Sequence, residues 1–236
     1  EGLRELEMSN CLSIEDCSAV AAFIADNKHL HSLNLSENIF DLDGITALTR
    51  SIKDHPLLYD VDMAGCNLAD GDTNALSRLL FACKDCDVLK LGHVSFTPEC
   101  IETIARFLGK KISLATFGLT DVKISKEDGR LLTHSLRKNR SLESFNLNYT
   151  SGICLPAVVD EHGQTIHLTS LDLSYNRLPV AGAGVMAEFI SSNTTLKKLF
   201  LAGNGLRNAS AKILLPAVVQ NKSLQDLDLS HNPMSK

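Results

Sequence analysis

A short frame of apolar residues returns along the whole chain at a nearly constant interval. Its clearest copy is the stretch 168–178, LTSLDLSYNRL, with leucine at the first, fourth, sixth and eleventh positions and asparagine at the ninth. Nine copies begin at residues 3, 30, 58, 86, 114, 142, 168, 196 and 224, so the interval is 26 to 28 residues. An interval this regular indicates a repeat array, in which each unit packs only against its neighbours.

Each unit combines two periodicities. The frame alternates apolar and polar residues, which predicts a short strand with the fourth and sixth positions on one face. The second half has apolar residues at helical spacing, as in Ile45, Leu48 and Ile52. A strand followed by a helix, repeated, predicts a parallel sheet. Because packed helices are about 8–10 Å apart and strands about 4.8 Å apart, the strands must line the concave side of a curved array.

The frame L-x-x-L-x-L-x-x-N-x-L at a 28-residue interval resembles the leucine-rich-repeat family, and specifically its ribonuclease-inhibitor-like subclass. This resemblance covers essentially the whole chain. It implies one leucine-rich-repeat domain over residues 1–236, an α/β horseshoe of about nine repeats with the parallel sheet on the concave face and the helices on the convex face. Neither terminal repeat has a recognisable cap, so we expect a fragment of a longer protein with further domains flanking both ends.

Two features predict where the repeats are irregular. The ninth position of the frame holds asparagines whose side-chain amides can bind turn backbone groups; these are Asn38, Asn176, Asn204 and Asn232. Val94 and Val122 hold the same position in repeats four and five and cannot do so, so we expect the turns of repeats four to six to differ. The sixth repeat is also two residues short, and Pro156 and Gly163 argue against a full helix in residues 151–167.

Composition excludes several classes of function. The net charge of −5 and the absence of tryptophan do not suit a nucleic-acid binder, which normally shows a basic stripe. The longest apolar run, residues 19–25, is far shorter than the roughly 18 residues of a membrane span. The seven cysteines are odd in number and scattered, which favours reduced thiols and a cytoplasmic location. We therefore expect neither nucleic acid nor membrane as a partner.

No motif points to catalysis, a metal or a cofactor. The histidines have no nucleophile beside them in a recognisable motif, and no glycine-rich phosphate loop is present. Cys83 and Cys86 form a single C-x-x-C, but zinc would need two further ligands. The frame places Cys86 at its first core position, which favours a buried thiol. We expect no enzymatic activity.

The predicted inner face is acidic. The second, third, fifth, seventh and eighth positions of the frame carry eleven carboxylates: Glu5, Glu7, Glu37, Asp60, Asp62, Asp87, Asp121, Glu143, Asp172, Asp226 and Asp228. Only four cations share these positions: Arg4, Lys90, Lys197 and Lys198. Such a surface would attract a basic partner and accelerate its association. The alternative is that exposed strand positions are acidic only for solubility.

Aromatic residues cluster toward the C-terminal half of this face. Tyr149 and Tyr175 hold the same position in adjacent repeats and should stand side by side, Phe200 lies in a neighbouring column, and His231 continues the tyrosine column after Gly203. Exposed aromatic residues are typical of interaction hot spots, although ordinary packing along the sheet would also account for them. The predicted partner-binding residues are Glu37, Asp60, Asp62, Asp121, Tyr149, Asp172, Tyr175, Phe200, Asp228 and His231.

The sequence therefore predicts a non-catalytic interaction module or scaffold that binds a basic protein through an acidic concave face. The resemblance implies two alternatives. One is a GTPase-activating protein of the Ran type, which also contains such repeats. The other is the sensor or autoinhibitory segment of an intracellular immune receptor.

Overall fold

The computed structural model describes residues 2–68, 73–110, 112–150, 166–178 and 180–234. In these residues, nine strands form one open sheet in the order of the chain, and every neighbouring pair is parallel. The strands are β1 Glu5–Glu7, β2 Ser32–Asn34, β3 Asp60–Asp62, β4 Val88–Gly92, β5 Thr116–Thr120, β6 Ser144–Asn146, β7 Ser170–Asp172, β8 Lys198–Phe200 and β9 Asp226–Asp228.

Helices connect the strands and cover one face of the sheet. They are a 3-10 helix Ile14–Asp16, α1 Cys17–Asp26, α2 Leu42–Lys53, α3 Thr73–Ala82, α4 Pro98–Leu108, α5 Lys126–Lys138, α6 Val180–Ser192 and α7 Asn208–Gln220. The predicted stripe of Ile45, Leu48 and Ile52 is buried against the sheet. In the described part of the chain, no helix is both long enough and apolar enough to cross a membrane.

The strand register confirms the predicted frame. Leu6, Leu33 and Val61, all fourth positions, are aligned across β1, β2 and β3. The same position continues through every later strand to Leu227 in β9. The fold is thus a curved α/β solenoid, with the core between the sheet and the helices, and no helix among the described residues lies on the other face of the sheet.

The asparagine column holds the turns as predicted. Asn38 is 2% exposed, and its amide nitrogen donates to the carbonyls of Met8 and Leu35 at 2.7 and 2.8 Å. Its side-chain oxygen accepts from the backbone nitrogens of Cys11 and Leu12 at 3.0 and 2.9 Å. Each such asparagine therefore connects its own turn to the preceding repeat.

Other residues at the ninth position supply only part of this function. The Cys66 thiol donates to the Leu35 carbonyl at 3.1 Å, and the Thr150 hydroxyl donates to the Leu119 carbonyl at 3.0 Å. Val94 and Val122 cannot donate, and the strands of their repeats, β4 and β5, are five residues long instead of three. The expected departure is therefore seen in repeats four and five, whereas repeat six has a three-residue strand and an Asn146 side chain that accepts from the Asn148 amide as in regular repeats. The interruption predicted around Pro156 and Gly163 lies outside the described residues.

Candidate functional site

The third and fifth positions of the frame point away from the helices and form two columns across the sheet. Asp60 and Asp62 hold these positions in β3, and both are partly exposed. In the fifth column, Phe200 of β8 lies between Asp172 of β7 and Asp228 of β9. The predicted carboxylates of the strands therefore share one face with the predicted aromatic residue.

The fifth position also has a structural role that the sequence analysis did not identify. Asp172 accepts a hydrogen bond through Oδ1 from the backbone nitrogen of Ser174 at 2.9 Å, and Asp62 and Asp228 make the same bond at 3.1 and 2.8 Å. Asn34 and Asn146 do so as well, both at 3.0 Å. These are Asx turns, which close the end of the strand. Because asparagine serves equally well, the negative charge of the aspartates is not needed for the turn.

In two adjacent repeats the residue at the fifth position cannot form an Asx turn, and the strands of these repeats are longer. Lys90 and Gly118 hold it in β4 and β5, and these strands continue to pair through Gly92 and Thr120. Lys90 also lies across from Asp62, with Nζ 3.4 Å from Oδ2. The positive charge of Lys90 therefore partly compensates the negative charge of Asp62 on the same face of the sheet.

The eighth position forms a continuous row at the carboxyl ends of the strands, which we call the rim row. Its backbone is left-handed in all nine repeats, with φ between 51° and 73°. The row consists of Asn10, Glu37, Gly65, His93, Asp121, Tyr149, Tyr175, Gly203 and His231. In each of the first eight, the backbone N–H donates to the seventh-position carbonyl of the next repeat, as Tyr175 does to Ala202 at 2.7 Å. This ladder holds the row in alignment.

Side chains of the rim row lean toward the next repeat. A Cβ added at Gly65 would lie 2.4 Å from the Glu37 carboxyl carbon, and one at Gly203 would lie 2.3 Å from the Tyr175 ring. His93 follows the same pattern, with Nδ1 3.6 Å from Asp121 Oδ2. The two glycines thus leave room for the side chains that precede them.

The predicted contact between the tyrosines is confirmed. The rings of Tyr149 and Tyr175 are stacked, with centroids 4.5 Å apart and planes 3° from parallel. The His231 ring follows at 6.3 Å from Tyr175, across the gap at Gly203. Tyr149 is 50% exposed and Tyr175 is 37% exposed, so the stack is an accessible aromatic surface.

Two side chains of this region have perturbed acidity. The pKa of the Tyr149 phenol is raised, first by partial desolvation and then by the neighbouring Tyr175 phenol and the Asp172 carboxylate. The pKa of Asp228 is lowered, chiefly by the hydrogen bonds from the backbone and side chain of Ser230, with a smaller contribution from His231. The Tyr149 phenol therefore remains neutral and the Asp228 carboxylate ionised near neutral pH.

The structure divides the predicted residues into separate groups. Tyr149, Asp172, Tyr175, Phe200, Asp228 and His231 form a C-terminal group joined by ring contacts and strand register. Glu37, Asp60 and Asp62 lie together in repeats two and three, and Asp121 lies between them and the tyrosines. The sequence analysis missed His93, which the eighth position of the frame could have revealed. It also missed the role of Gly203 under Tyr175.

No metal arrangement accompanies this surface in the residues that the structure describes, since no three His, Cys, Asp or Glu side chains converge. Cys83 and Cys86 are 0% and 4% exposed, so both lie in the core, as the frame predicted for Cys86. The Cys86 thiol donates to the Leu58 carbonyl at 3.7 Å. The pKa of the Cys83 thiol is raised, chiefly by its hydrogen bond with Cys86 and secondly by burial.

Comparison with known proteins supports the repeat assignment. Residues 26–48, 166–187 and 220–236 match the model of the family described as Leucine Rich repeat. The chain is 27% identical to NACHT, LRR and PYD domains-containing protein 14 of Mus musculus, over 98% of this chain and 27% of that protein. It is 29% identical to ribonuclease inhibitor of Sus scrofa, over 83% of this chain and 42% of that protein.

A third relative, protein CARMIL of Dictyostelium discoideum, is 25% identical over 74% of this chain and 17% of its own length. The chain therefore spans less than half of each of these relatives. The family matches, the 28-residue interval and the nine-stranded parallel sheet agree with one another. Together they show that this chain is a leucine-rich-repeat protein of the ribonuclease-inhibitor-like type.

Proposed function

We propose that the array is a non-catalytic module that binds a basic protein on the helix-free, concave face of its sheet. One of its relatives is named for inhibiting ribonuclease, which is a protein ligand. A basic ligand suits this chain because the face is acidic, with eleven carboxylates and four cations at its positions in the frame.

The observation that carries the proposal is the alignment of carboxylates whose charge the fold does not require. Asp62, Asp172 and Asp228 each use one oxygen to close a turn, although uncharged asparagine closes the same turn in β2 and β6. The charge of Asp172 and Asp228 is therefore available for a ligand, and that of Asp62 is available in part, since Lys90 lies 3.4 Å from it. Carboxylates spread over one open face steer a basic partner toward it and raise the association rate.

The test replaces charge without disturbing the turns. A variant carrying Asp62→Asn, Asp172→Asn and Asp228→Asn keeps the turn acceptors and removes three charges. The probe is a basic ribonuclease, the ligand class named by the relative, with affinity measured by calorimetry at several salt concentrations. We expect the affinity to fall about tenfold, at about 0.5 kcal/mol per charge, and its salt dependence to weaken.

A matched control removes the same charge from the helices. Asp43, Glu127 and Glu188 are exposed in α2, α5 and α6, and their neutralisation to Asn or Gln should change the affinity less than twofold, which is within the range of screened long-range effects. Equal losses in both variants would contradict binding at the concave face. No binding of the basic probe by the original protein would contradict the proposal as a whole.

A second candidate function is intramolecular, and one observation favours it. The alignment with the mouse NACHT, LRR and PYD protein includes 98% of this chain. The array could thus be the repeat segment of a protein with further domains, one of which occupies its concave face. Cross-linking of the full-length protein tests this, because cross-links from Asp172 or Tyr175 to another domain of the same chain would support it. Cross-links only to other proteins would oppose it.

We further propose a cytoplasmic location, since thiols such as those of Cys66 and Cys86 serve as hydrogen-bond donors in the core. Regulation of a small GTPase stays an alternative that no contact among the described residues favours. Its test is GTP hydrolysis by small GTPases with and without this protein. A stimulation of even about a hundredfold, which is below the roughly 10³- to 10⁵-fold effect of full catalytic assistance, would replace the binding proposal.

A further inference from the structure

The tyrosine stack has one covered end and one open end. Tyr175 contacts Tyr149 with one ring face and covers the backbone of Gly203 with the other, because the glycine leaves no Cβ in its place. Tyr149 stacks on Tyr175 through one ring face, no other ring among the described residues contacts it, and the residue is 50% exposed. The open face of the stack is therefore that of Tyr149.

A carboxylate precedes Tyr149 in the rim row. Asp121 holds the rim row one repeat before Tyr149, and its side chain is 61% exposed. Its contact within the chain is with His93, at 3.6 Å, and this histidine is itself 43% exposed. Asp172, three residues before Tyr175, is close enough for its charge to act on the Tyr149 phenol. The stack is thus accompanied by two carboxylates, one in the rim row and one in the fifth column.

This arrangement complements a planar cation better than a spherical one. A guanidinium group can lie flat on a tyrosine ring and donate paired hydrogen bonds to a carboxylate at its edge. A lysine ammonium can reach the carboxylate, but it gains less from the ring and is more strongly hydrated. The stacked second ring keeps the first in position, so the ring is already oriented before a ligand arrives.

We propose that the open face of Tyr149, backed by Tyr175 and flanked by Asp121, binds an arginine side chain of the partner. This inference rests on the proposed function, and it specifies which cation the acidic face selects in repeats five to seven. The remaining carboxylates attract any basic partner, whereas the stack distinguishes arginine from lysine.

Two fluorescent peptides of equal length and charge test the proposal. One carries arginine at every second position with glycine between, and the other carries lysine at the same positions. Fluorescence anisotropy with the full chain measures the affinity for both. We expect the arginine peptide to bind about fivefold more tightly, the scale of a partly exposed cation–π contact.

Two variants test the stack itself. In the double variant Tyr149→Leu and Tyr175→Leu, the arginine preference should disappear while the affinity for the lysine peptide stays within twofold, since no charge changes. Gly203→Ala keeps both tyrosines, but its new Cβ would lie 2.3 Å from the Tyr175 ring and must displace it. This variant should therefore reduce the preference without removing any contacting group.

Matched controls account for altered folding. Gly65→Ala makes the same change in the same left-handed row, but its Cβ meets the Glu37 carboxylate. Tyr59→Leu removes a tyrosine that is 46% exposed at the start of β3, away from the stack. Both should retain the arginine preference. Circular dichroism of every variant identifies any that fail to fold, and the tyrosine double variant remains informative if Gly203→Ala does not.

The outcomes separate this inference from the proposed function. Equal binding of both peptides, or an arginine preference that survives loss of both tyrosines, overturns the inference and leaves an acidic docking face intact. If neither peptide binds, both proposals are overturned. An arginine preference lost in the double variant and in Gly203→Ala, but kept in both controls, supports the assignment.

Discussion

The rings of Tyr149 and Tyr175 are parallel within 3° although the residues are 26 positions apart, two fewer than the usual interval. The strands that precede them are nevertheless in register, with Asn146 opposite Asp172. The two-residue shortening of the sixth repeat therefore lies outside the frame, and the alignment of the rim row is preserved. Because strand pairing fixes the frame, the helical half of a repeat can change length without moving the exposed surface.

The environment of this stack predicts an unusual titration of Tyr149. Its pKa is raised by desolvation, by Tyr175 and by Asp172. Asp172→Asn removes the carboxylate among these causes, so the pKa of Tyr149 should fall toward its ordinary value. Carbon NMR of labelled tyrosine resolves the three rings. An unchanged Tyr149 titration in this variant would show that the carboxylate does not act on the phenol.

The same shift has a defined effect on stability. A phenol whose pKa is higher in the folded state is protonated more readily there than in the unfolded chain. Its contribution is complete below the ordinary tyrosine pKa of about 10, and it is lost as the pH rises through the folded value. Tyr149→Phe should therefore lose less stability above pH about 10 than the original protein does. Urea unfolding midpoints at a series of pH values measure this difference.

The sequence predicted the fold nearly completely, because the frame fixes strand register one repeat at a time. It identified Leu33 and Leu171 as core residues and placed Tyr149 beside Tyr175, as the structure confirms. Such a prediction needs only the period and the alternation of apolar residues. It requires no knowledge of contacts between distant parts of the chain.

The local hydrogen bonds could not be predicted in the same way. The pattern marks Asp172 as exposed, but only coordinates show that one oxygen closes a turn on Ser174. Likewise, the frame aligns Tyr175 with Gly203 in one column, but only the structure shows that the column is left-handed and that the Tyr175 ring lies where a Cβ of residue 203 would be. Partner binding by the predicted residues stays a prediction, since it depends on a second molecule.

The Asx turns lead to a prediction about stability. Asp172→Asn preserves the acceptor for the Ser174 amide and should change the free energy of unfolding by less than about 0.5 kcal/mol. Asp172→Ala removes the acceptor and should cost about 1 kcal/mol. Urea unfolding compares the variants, and hydrogen exchange of Ser174 reports the turn directly. A similar loss in both would mean that charge, not the turn, stabilises this position.

The asparagine column predicts a larger effect. Asn204 is 1% exposed, donates to the carbonyls of Leu173 and Ala202, and accepts from the backbone nitrogen of Asn176. Asn204→Ala leaves buried backbone groups without partners and should cost about 3 kcal/mol. Faster hydrogen exchange should appear in repeats seven and eight, with the first three repeats unaffected. Uniform acceleration along the whole chain would instead indicate that the array unfolds as one unit.

The cysteines provide a test of the core that is independent of any partner. Burial raises the pKa of the Cys66 thiol to about 12, and the pKa of the Cys83 thiol is raised as well. Cys11, in contrast, is exposed. Because the thiolate is the reactive species, Cys11 should be alkylated by iodoacetamide at pH about 8 far faster than Cys66 or Cys83. Peptide mass spectrometry follows each site separately, and urea should make all of them react. Equal rates for Cys66 and Cys11 without urea would contradict the packing of repeat three, since the Cys66 thiol could then not remain on the Leu35 carbonyl.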